Sequence, residues 1–238
     1  MKRKKVVAGN WKMNMNLEES KKLISELMQI NVENVDVKIA PSFTNLFHSN
    51  IMLDSSSIEV ISQDMYHEQK GAFTGEVSAE MLLGIGIKTS IIGHSERRKY
   101  FDETDLILSK KVNSAIENKM KIVFCIGEEL TDRNNNNHFD IIESQLRNGI
   151  FHIESSQFKN IIIAYEPVWA IGTGMTANSD QIQEMHQFIR GLVNSKYGNE
   201  ISQNIKILYG GSVKPSNCLL YTSPSPRDAT LSRMPSSA

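Results

Sequence analysis

The stretch Ile161-Ile162-Ile163-Ala164-Tyr165-Glu166-Pro167-Val168 joins a strand pattern to a single carboxylate. Its β-branched and small residues are typical of a buried strand, and Glu166 follows them directly before a proline. The next residues, up to Gly174, are mostly small and include two glycines, as in a loop that can move. The pattern predicts a base at the end of a strand, with a lid beside it.

Similar β-branched runs recur along the chain, mostly about thirty residues apart, which is the length of one strand-helix-strand unit. Between them, apolar residues recur at helical spacing, and in the last clear pattern Ser179 is predicted to cap a helix that ends before Gly198. Alternating buried strands and helices predict a parallel sheet covered by helices, either a closed barrel or an open doubly wound sheet. The predicted strands are residues 6–8, 37–40, 58–61, 90–92, 122–126, 161–165 and 205–209.

The composition is that of an ordinary globular protein. The chain has 238 residues, of which 40% are hydrophobic and 22% charged, and a net charge of -1. This size suits one α/β domain, and the near-neutral charge gives no general attraction for nucleic acid. No apolar run approaches membrane-spanning length, so we expect a soluble, cytoplasmic protein without membrane contact.

The two cysteines, Cys125 and Cys218, are far apart and have no metal-binding spacing around them. Neither a disulfide framework nor a metal site is therefore expected. Cys125 lies in an apolar strand without an adjacent base, which predicts a supporting position in the core.

Polar residues at the strand ends distinguish the barrel from the open sheet. An open dinucleotide-binding sheet would have a glycine-rich turn after its first strand, whereas Asn10-Trp11-Lys12 stands there. Functional groups that follow several different strands are typical of a (β/α)8 barrel. The residues at these positions are Asn10, Lys12, Gln63, His94, Glu96, Cys125, Glu128, Glu166 and Gly210-Gly211-Ser212.

Five segments resemble signature segments of the triosephosphate isomerase family, and they occur in family order. They are residues 8–14, 71–76, 92–98, 164–176 and 209–213. The resemblance implies a TIM (β/α)8 barrel over residues 1–217. It also implies a glycolytic and gluconeogenic isomerase that interconverts dihydroxyacetone phosphate and glyceraldehyde 3-phosphate through an enediolate, without metal or organic cofactor.

The resemblance assigns catalysis to Glu166 as the base, to His94 as a neutral electrophile and to Lys12 as a fixed positive charge. From its position alone, Glu166 could equally well be a surface carboxylate in a salt bridge. For His94, position alone favours a structural role, as a hydrogen-bonded histidine at a strand end, over a catalytic one. The surrounding motifs favour catalysis. The helix predicted after His94 also disfavours imidazolium, because the positive end of a helix dipole lies near its N-terminus.

Substrate binding and dimer contacts are likewise implied by the family. Residues 167–177 would form a lid that excludes water and helps hold the phosphate. Residues 63–76 form a long irregular segment that in the family reaches a neighbouring subunit, so we expect a homodimer. The implied substrate-binding residues are Asn10, Lys12, Gly172, Gly211 and Ser212, with Glu96 in support, and the implied dimer-loop residues are Thr74, Glu76 and Arg97.

The resemblance stops after Asn217. Residues 218–238 are rich in serine and proline, and Pro224 and Pro226 oppose a continuous helix or a central strand. We expect an unrelated, disordered tail in place of the family's eighth strand and last helix. Without that strand, the first and seventh strands would have unpaired edges.

Two alternative functions remain at this point. A catalytically impaired chain or pseudoenzyme would follow from the missing strand, although Asn10, Lys12, His94 and Glu166 are all present. A phosphate-handling aldolase barrel would need a Schiff-base lysine at a strand end. Lys12 is the candidate there, and its motif matches the isomerase family instead.

Overall fold

Parallel strands alternate with helices in the computed structural model, which describes residues 3–30, 33–211, 213 and 231–232. The strands are β1 (Lys5–Asn10), β2 (Val35–Ala40), β3 (Ile58–Val60), β4 (Thr89–Ile92), β5 (Lys121–Ile126), β6 (Ile161–Tyr165), β7 (Lys206–Tyr209) and β8 (Leu231–Ser232). The helices are α1 (Leu17–Leu27), α2 (Phe43–Met52), α3 (Ala79–Gly84), α4 (Ser95–Tyr100), α5 (Asp105–Glu117), α6 (Leu130–Asn134), α7 (His138–Gly149), α8 (Ser155–Phe158), α9 (Ser179–Tyr197) and α10 (Asn199–Asn204).

The strands close into a barrel, and all seven predicted strands are confirmed. Neighbours pair in the order β3-β2-β1-β8-β7-β6-β5-β4, and every pairing is parallel. The two ends of this order meet through Ser62, whose N–H donates to the Thr89 carbonyl at 3.0 Å and whose carbonyl accepts from Ile91 N–H at 2.9 Å. The carboxyl ends of all the strands therefore surround one opening.

Side chains alternate between two apolar layers along each strand. In β5, Ile122, Phe124 and Ile126 pack outward in the layer shared with the helices, whereas Val123 and Cys125 point into the barrel. The inner layer also contains small residues, among them Ala8, Ala40 and Ala164. Small side chains leave space beneath the opening, and the site described below occupies it.

The eighth position of the barrel differs from the sequence prediction. Leu231 pairs with Val7 of β1 and Tyr209 of β7, and Ser232 pairs with Ala8, so two tail residues form β8 where no strand was expected. Backbone pairing requires no particular side chain, so an extended segment can satisfy the N–H and C=O groups at these two edges. The rest of residues 218–238, including Cys218, lies outside the described residues.

The cap of α9 is Asn178, which corrects the prediction of Ser179. The Asn178 side chain accepts from Gln181 N–H at 2.8 Å, and the Gln181 side chain accepts from Asn178 N–H at 3.0 Å. Asparagine caps helices as well as serine does, and glutamine three residues later completes the reciprocal pair. Gly198 ends the helix as predicted, with φ 87°.

Charged side chains occupy the N-terminal end of the barrel. Lys38 and Glu59 lie two residues before the inward-facing Ala40 and Ile61, so they share the inner face, and they form an ion pair. Burial by itself raises the pKa of Glu59, but hydrogen bonds from Lys38 and Thr89 outweigh it and hold that pKa below its ordinary value of 4.5. A second ion pair joins Lys206 to Asp36 at 2.9 Å.

Removing one partner of the inner pair should destabilise the barrel. In Lys38→Met, the Glu59 carboxylate loses the cation that compensates its burial, and we expect the free energy of unfolding to fall by about 2 kcal/mol. Urea denaturation at neutral pH measures the change. The matched control is Lys21→Met, which breaks the exposed pair of Lys21 with Glu18 and should cost less than about 0.5 kcal/mol.

The same comparison has a defined pH dependence. Because the folded-state pKa of Glu59 is lowered, ionised Glu59 adds to the free energy of unfolding above pH 4.5. This contribution is lost as the pH falls below that value. The stability gap between the unaltered chain and Lys38→Met should therefore narrow in acid. A stability gap that widens in acid would contradict this account of the Lys38–Glu59 pair. Equal losses of the free energy of unfolding in Lys38→Met and Lys21→Met would contradict it as well.

Candidate active site

An open cavity of about 540 Å³, a volume that includes solvent space at its mouth, lies at the carboxyl ends of the strands. Its floor is the inner apolar layer of the barrel. Its polar lining comes from Asn10, Lys12, His94 and Glu166, which follow or end three different strands. The structure therefore brings together the predicted catalytic residues in one place.

The Glu166 carboxylate is held at the edge of β6 by backbone contacts. Its own N–H donates to the Ile126 carbonyl at 2.7 Å, which continues the β5–β6 ladder by one residue. Its Oε2 accepts from Ser95 N–H at 3.1 Å, and its Oε1 lies 3.4 Å from His94 Nε2. With 5% of its surface exposed, this is a nearly dry carboxylate beside an open cavity.

The His94 ring is fixed in one tautomer by the start of α4. His94 is the N-cap residue of that helix, and its Nδ1 accepts from Glu96 N–H at 3.2 Å. A ring nitrogen that accepts a hydrogen bond carries no proton, so the proton of the neutral imidazole is on Nε2. His94 lines the cavity, and Nε2, 3.4 Å from Glu166 Oε1, is the nitrogen that can donate a hydrogen bond.

Lys12 reaches the cavity from a backbone conformation that lysine rarely adopts. Its φ is 53°, in the left-handed region, where the backbone of residues other than glycine is strained. The Asn10 side chain accepts from Lys12 N–H at 2.9 Å, and Gln63 donates to the Lys12 carbonyl at 2.8 Å. The ammonium group forms an ion pair with Glu96. Gln63 thus supports Lys12, a role that its position after a strand does not reveal.

The segment after Glu166 begins with a firmly anchored turn. Glu128 is fully buried, and its carboxylate accepts from Tyr165 Oη at 3.0 Å and from Trp169 Nε1 at 2.9 Å. Val168 N–H also donates to the Glu128 carbonyl at 3.0 Å. Farther along, Gly172 and Gly174 are exposed and have positive φ. The predicted lid therefore has a fixed entry and an exposed tip.

Comparison with known proteins agrees with this geometry. A sequence model described as Triosephosphate isomerase matches residues 5–225. The chain belongs to the triosephosphate isomerase family. Among curated proteins with that name, those of Flavobacterium psychrophilum and Flavobacterium johnsoniae are 54% and 50% identical over 217 residues, covering 90% of this chain and 87% of each relative. That of Geotalea uraniireducens is 48% identical over 217 residues, covering 90% of this chain and 86% of the relative.

Family membership confirms the resemblance and the barrel fold, and it makes the chain an isomerase. Cys125 lies as predicted in the core, 2% exposed. Burial, and next the charge of Glu166, raise the pKa of the Cys125 thiol well above its usual range, so it stays protonated. Gly211 is buried beside Tyr209, whereas Ser212 lies outside the described residues.

The dimer-loop residues implied by the family do not meet within one chain. Thr74 and Glu76 are exposed. Arg97 instead pairs with Glu103 at 2.6 Å and with Asp64 at 3.0 Å, two carboxylates that also bind the buried Lys111. Arg97 thus belongs to a charged cluster at the base of the 63–76 segment.

Within residues 3–30, 33–211, 213 and 231–232, no group of three or more histidine, cysteine, aspartate or glutamate side chains could hold a metal ion. No helix in those ranges is both long and apolar enough to span a bilayer.

Gly210 belongs to the strand-end residues that the sequence indicates, but its packing against the base is visible only in the structure. A Cβ atom at this position would lie 2.6 Å from Glu166 Cγ and 3.4 Å from its Oε1. Gly210 N–H also donates to the Tyr165 carbonyl at 2.7 Å, so this backbone cannot easily withdraw. The absence of a side chain here gives the Glu166 carboxylate its space.

Gly210→Ala should therefore displace Glu166 and lower isomerase kcat by about ten- to one-hundredfold, since small misplacements of a catalytic group are costly. Steady-state kinetics measures the loss. The control is Gly191→Ala, on the exposed side of α9, where an added Cβ has no atom within 4 Å. It should leave kcat unchanged and stabilise the helix by up to about 1 kcal/mol. Equal kcat for both variants would disprove the packing argument.

Proposed function

We propose that the chain interconverts dihydroxyacetone phosphate and glyceraldehyde 3-phosphate through an enediolate. The observation that carries this proposal is the pairing of Glu166 and His94, whose Oε1 and Nε2 atoms are 3.4 Å apart at the cavity wall. One group accepts a proton and the other donates a hydrogen bond from a neutral ring. Moving a proton between two adjacent carbons, one of which bears a carbonyl, requires this combination.

In the proposed reaction, the Glu166 carboxylate removes a proton from the carbon next to the carbonyl. The electron pair of that C–H bond forms the carbon–carbon double bond, and the carbonyl electrons move onto oxygen. His94 Nε2–H donates to this oxygen, which becomes a hydroxyl group as the hydroxyl proton of the neighbouring oxygen is transferred to it beside the ring. The electrons left on the neighbouring oxygen form the new carbonyl, and the electrons of the carbon–carbon double bond take the proton back from Glu166 at the other carbon. No oxidant, reductant or leaving group is needed, so the atoms and charges balance.

Lys12 is proposed to stabilise the negative charge of the phosphate and of the enediolate. Its ion pair with Glu96 places the ammonium group near the cavity, and Asn10 fixes its backbone. Backbone N–H groups of Gly172, Gly211 and Ser212 are proposed to hold the phosphate once the lid closes. Closure would remove water and so strengthen each of these charge interactions.

A catalytically impaired chain is the alternative, and one observation favours it. The eighth strand of the family is expected to end in a glycine pair that helps bind phosphate, and residues 218–238 contain no glycine. Impairment of this kind would appear as a raised KM for the phosphorylated substrate, because it affects the phosphate contacts and not the proposed proton-transfer pair of His94 and Glu166.

Replacing the base tests the mechanism. Glu166→Gln keeps the size of the side chain but cannot accept the proton, so we expect kcat to fall by at least about a thousandfold. Glu166→Asp retracts the carboxylate and should give a smaller loss. A coupled assay measures turnover, and nuclear magnetic resonance in D2O measures exchange of the substrate C–H, which an enediolate requires.

Glu184→Gln is the control, because Glu184 is exposed on α9 and its substitution should change neither rate. Unchanged turnover in both Glu166 variants would eliminate this mechanism. The impaired alternative would instead be established by a substrate concentration series that does not saturate, which shows a raised KM, or by turnover in the unaltered chain as low as in Glu166→Gln.

We also propose that two copies of the chain form a dimer through the face around the 63–76 segment. Apolar side chains are exposed there on α2 and on the segments that pack against it. Asn45 of α2 donates to the Met15 carbonyl, and Asn50 of α2 donates to the Ile85 carbonyl at the end of α3. Large exposed apolar patches mark interaction sites. The exposed fractions are 96% for Met13, 55% for Phe47, 56% for Ile51, 41% for Phe73 and 57% for Met81.

In this dimer, the Thr74–Glu76 tip would reach the Arg97 region of the partner's site, as the family resemblance implies. A cytoplasmic location and a role in glycolysis and gluconeogenesis are proposed on family membership alone.

Met13→Glu should weaken the dimer, because the new carboxylate would be buried without a partner. We expect sedimentation velocity at micromolar concentration to show a shift from dimer to monomer. Met28→Glu is the control, since Met28 is also exposed but lies at the opposite end of α1. A monomeric unaltered chain, or a dimer that Met13→Glu does not weaken, would refute the proposed interface.

A further inference from the structure

Gly127 lies against the backbone of the proposed base. A Cβ atom on Gly127 would be 1.8 Å from the Glu166 carbonyl oxygen and 2.8 Å from the Glu166 carbonyl carbon. The two neighbours of Gly127 bond to the same segment, since Ile126 accepts from Glu166 N–H and Glu128 accepts from Val168 N–H. The backbone of residues 126–128 therefore forms the surface on which Glu166 rests.

The peptide groups of Gly127 are bound by one side chain from α7. Gly127 N–H donates to Gln145 Oε1 at 2.9 Å, and Gln145 Nε2 donates to the Gly127 carbonyl at 2.9 Å. A carboxamide has one donor side and one acceptor side, so it can satisfy both groups at once, as a neighbouring strand would. A carboxylate or an aliphatic side chain of similar size cannot do so.

We infer that Gln145 is a positioning residue for Glu166. Its amide fixes Gly127 against α7, and Gly127 in turn sets the position of the Glu166 backbone relative to His94. Gln145 does not line the cavity that holds Lys12 and His94, but together with Gly127 it lines a second cavity that Glu166 also borders. We therefore expect Gln145 to act through the position of Glu166 and not through contact with Lys12 or His94. This inference rests on the proposed function, because it assigns a task to the base named there.

The position of a catalytic group matters more for turnover than for substrate binding, since binding uses Lys12 and the proposed phosphate contacts. Loss of the two bonds in Gln145→Leu should therefore lower kcat by about tenfold and leave KM within about twofold. Asn148→Leu is the matched control. Asn148 is an exposed amide on the same helix, and its bond goes to Ser144, so its loss should not change kcat.

Gln145→Glu provides a second variant with nearly the same shape. An ionised carboxylate cannot donate to the Gly127 carbonyl, whereas a protonated one can donate and accept as the amide does. The kcat of this variant, divided by that of the unaltered chain at the same pH, should rise as the pH falls from about 8 to about 5. Such recovery is specific to the donated bond.

Amide hydrogen exchange gives a readout that does not need turnover. In Gln145→Leu, exchange at Gly127 N–H and Glu166 N–H should accelerate by about tenfold or more, while Asn148→Leu should match the unaltered chain. If the unaltered chain shows no isomerase turnover, the proposed function fails, and the exchange rates still decide whether Gln145 fixes Glu166.

The inference is overturned by unchanged exchange at Glu166 in Gln145→Leu. It is overturned equally, in an active chain, by an unchanged kcat or by an effect confined to KM. A kcat loss in Gln145→Glu that does not recover as the pH falls would also reject the role of the donated bond.

Discussion

The parallel pairing of β5 with β6 is the constraint on which the site depends. Ile126 lies opposite Tyr165 at the end of this ladder, and its carbonyl then accepts from Glu166 N–H. This bond ends the regular sheet at the residue that carries the carboxylate. A shift in register by one residue would move each side chain to the other face of the sheet. The pairing therefore decides whether the Glu166 side chain points into the barrel and at which level along the strand it lies.

Local hydrogen bonds then determine the chemistry of the neighbouring groups. The Glu96 N–H that His94 Nδ1 accepts is one of the free donors at the start of α4, so the helix itself selects the tautomer. Asn10 and Gln63 hold the strained backbone of Lys12 in the same way. Each polar group that faces the cavity is thus fixed by a contact behind it, before any substrate binds.

Much of the barrel and of the candidate site could be predicted from the sequence, because contiguous motifs indicate them. The β-branched runs predicted the strands, and short segments predicted Lys12, His94 and Glu166, because each signal lies within a few residues. Gln145, the packing of Gly210 against Glu166 and the Asp64–Arg97 contact were missed, since they depend on which distant segments meet after folding. Asn178 was missed because two adjacent residues can both cap a helix, and β8 because backbone pairing leaves no side-chain pattern to find.

The charged layer of Lys38, Glu59, Asp36 and Lys206 lies at the end of the barrel opposite the cavity. The apolar inner layer between them separates these ion pairs from Glu166 and His94. Substitutions at the two ends share no contacts, and distant sites usually contribute additively. Mutational drift can therefore adjust the thermal tolerance of this enzyme at one end while its turnover is selected independently at the other.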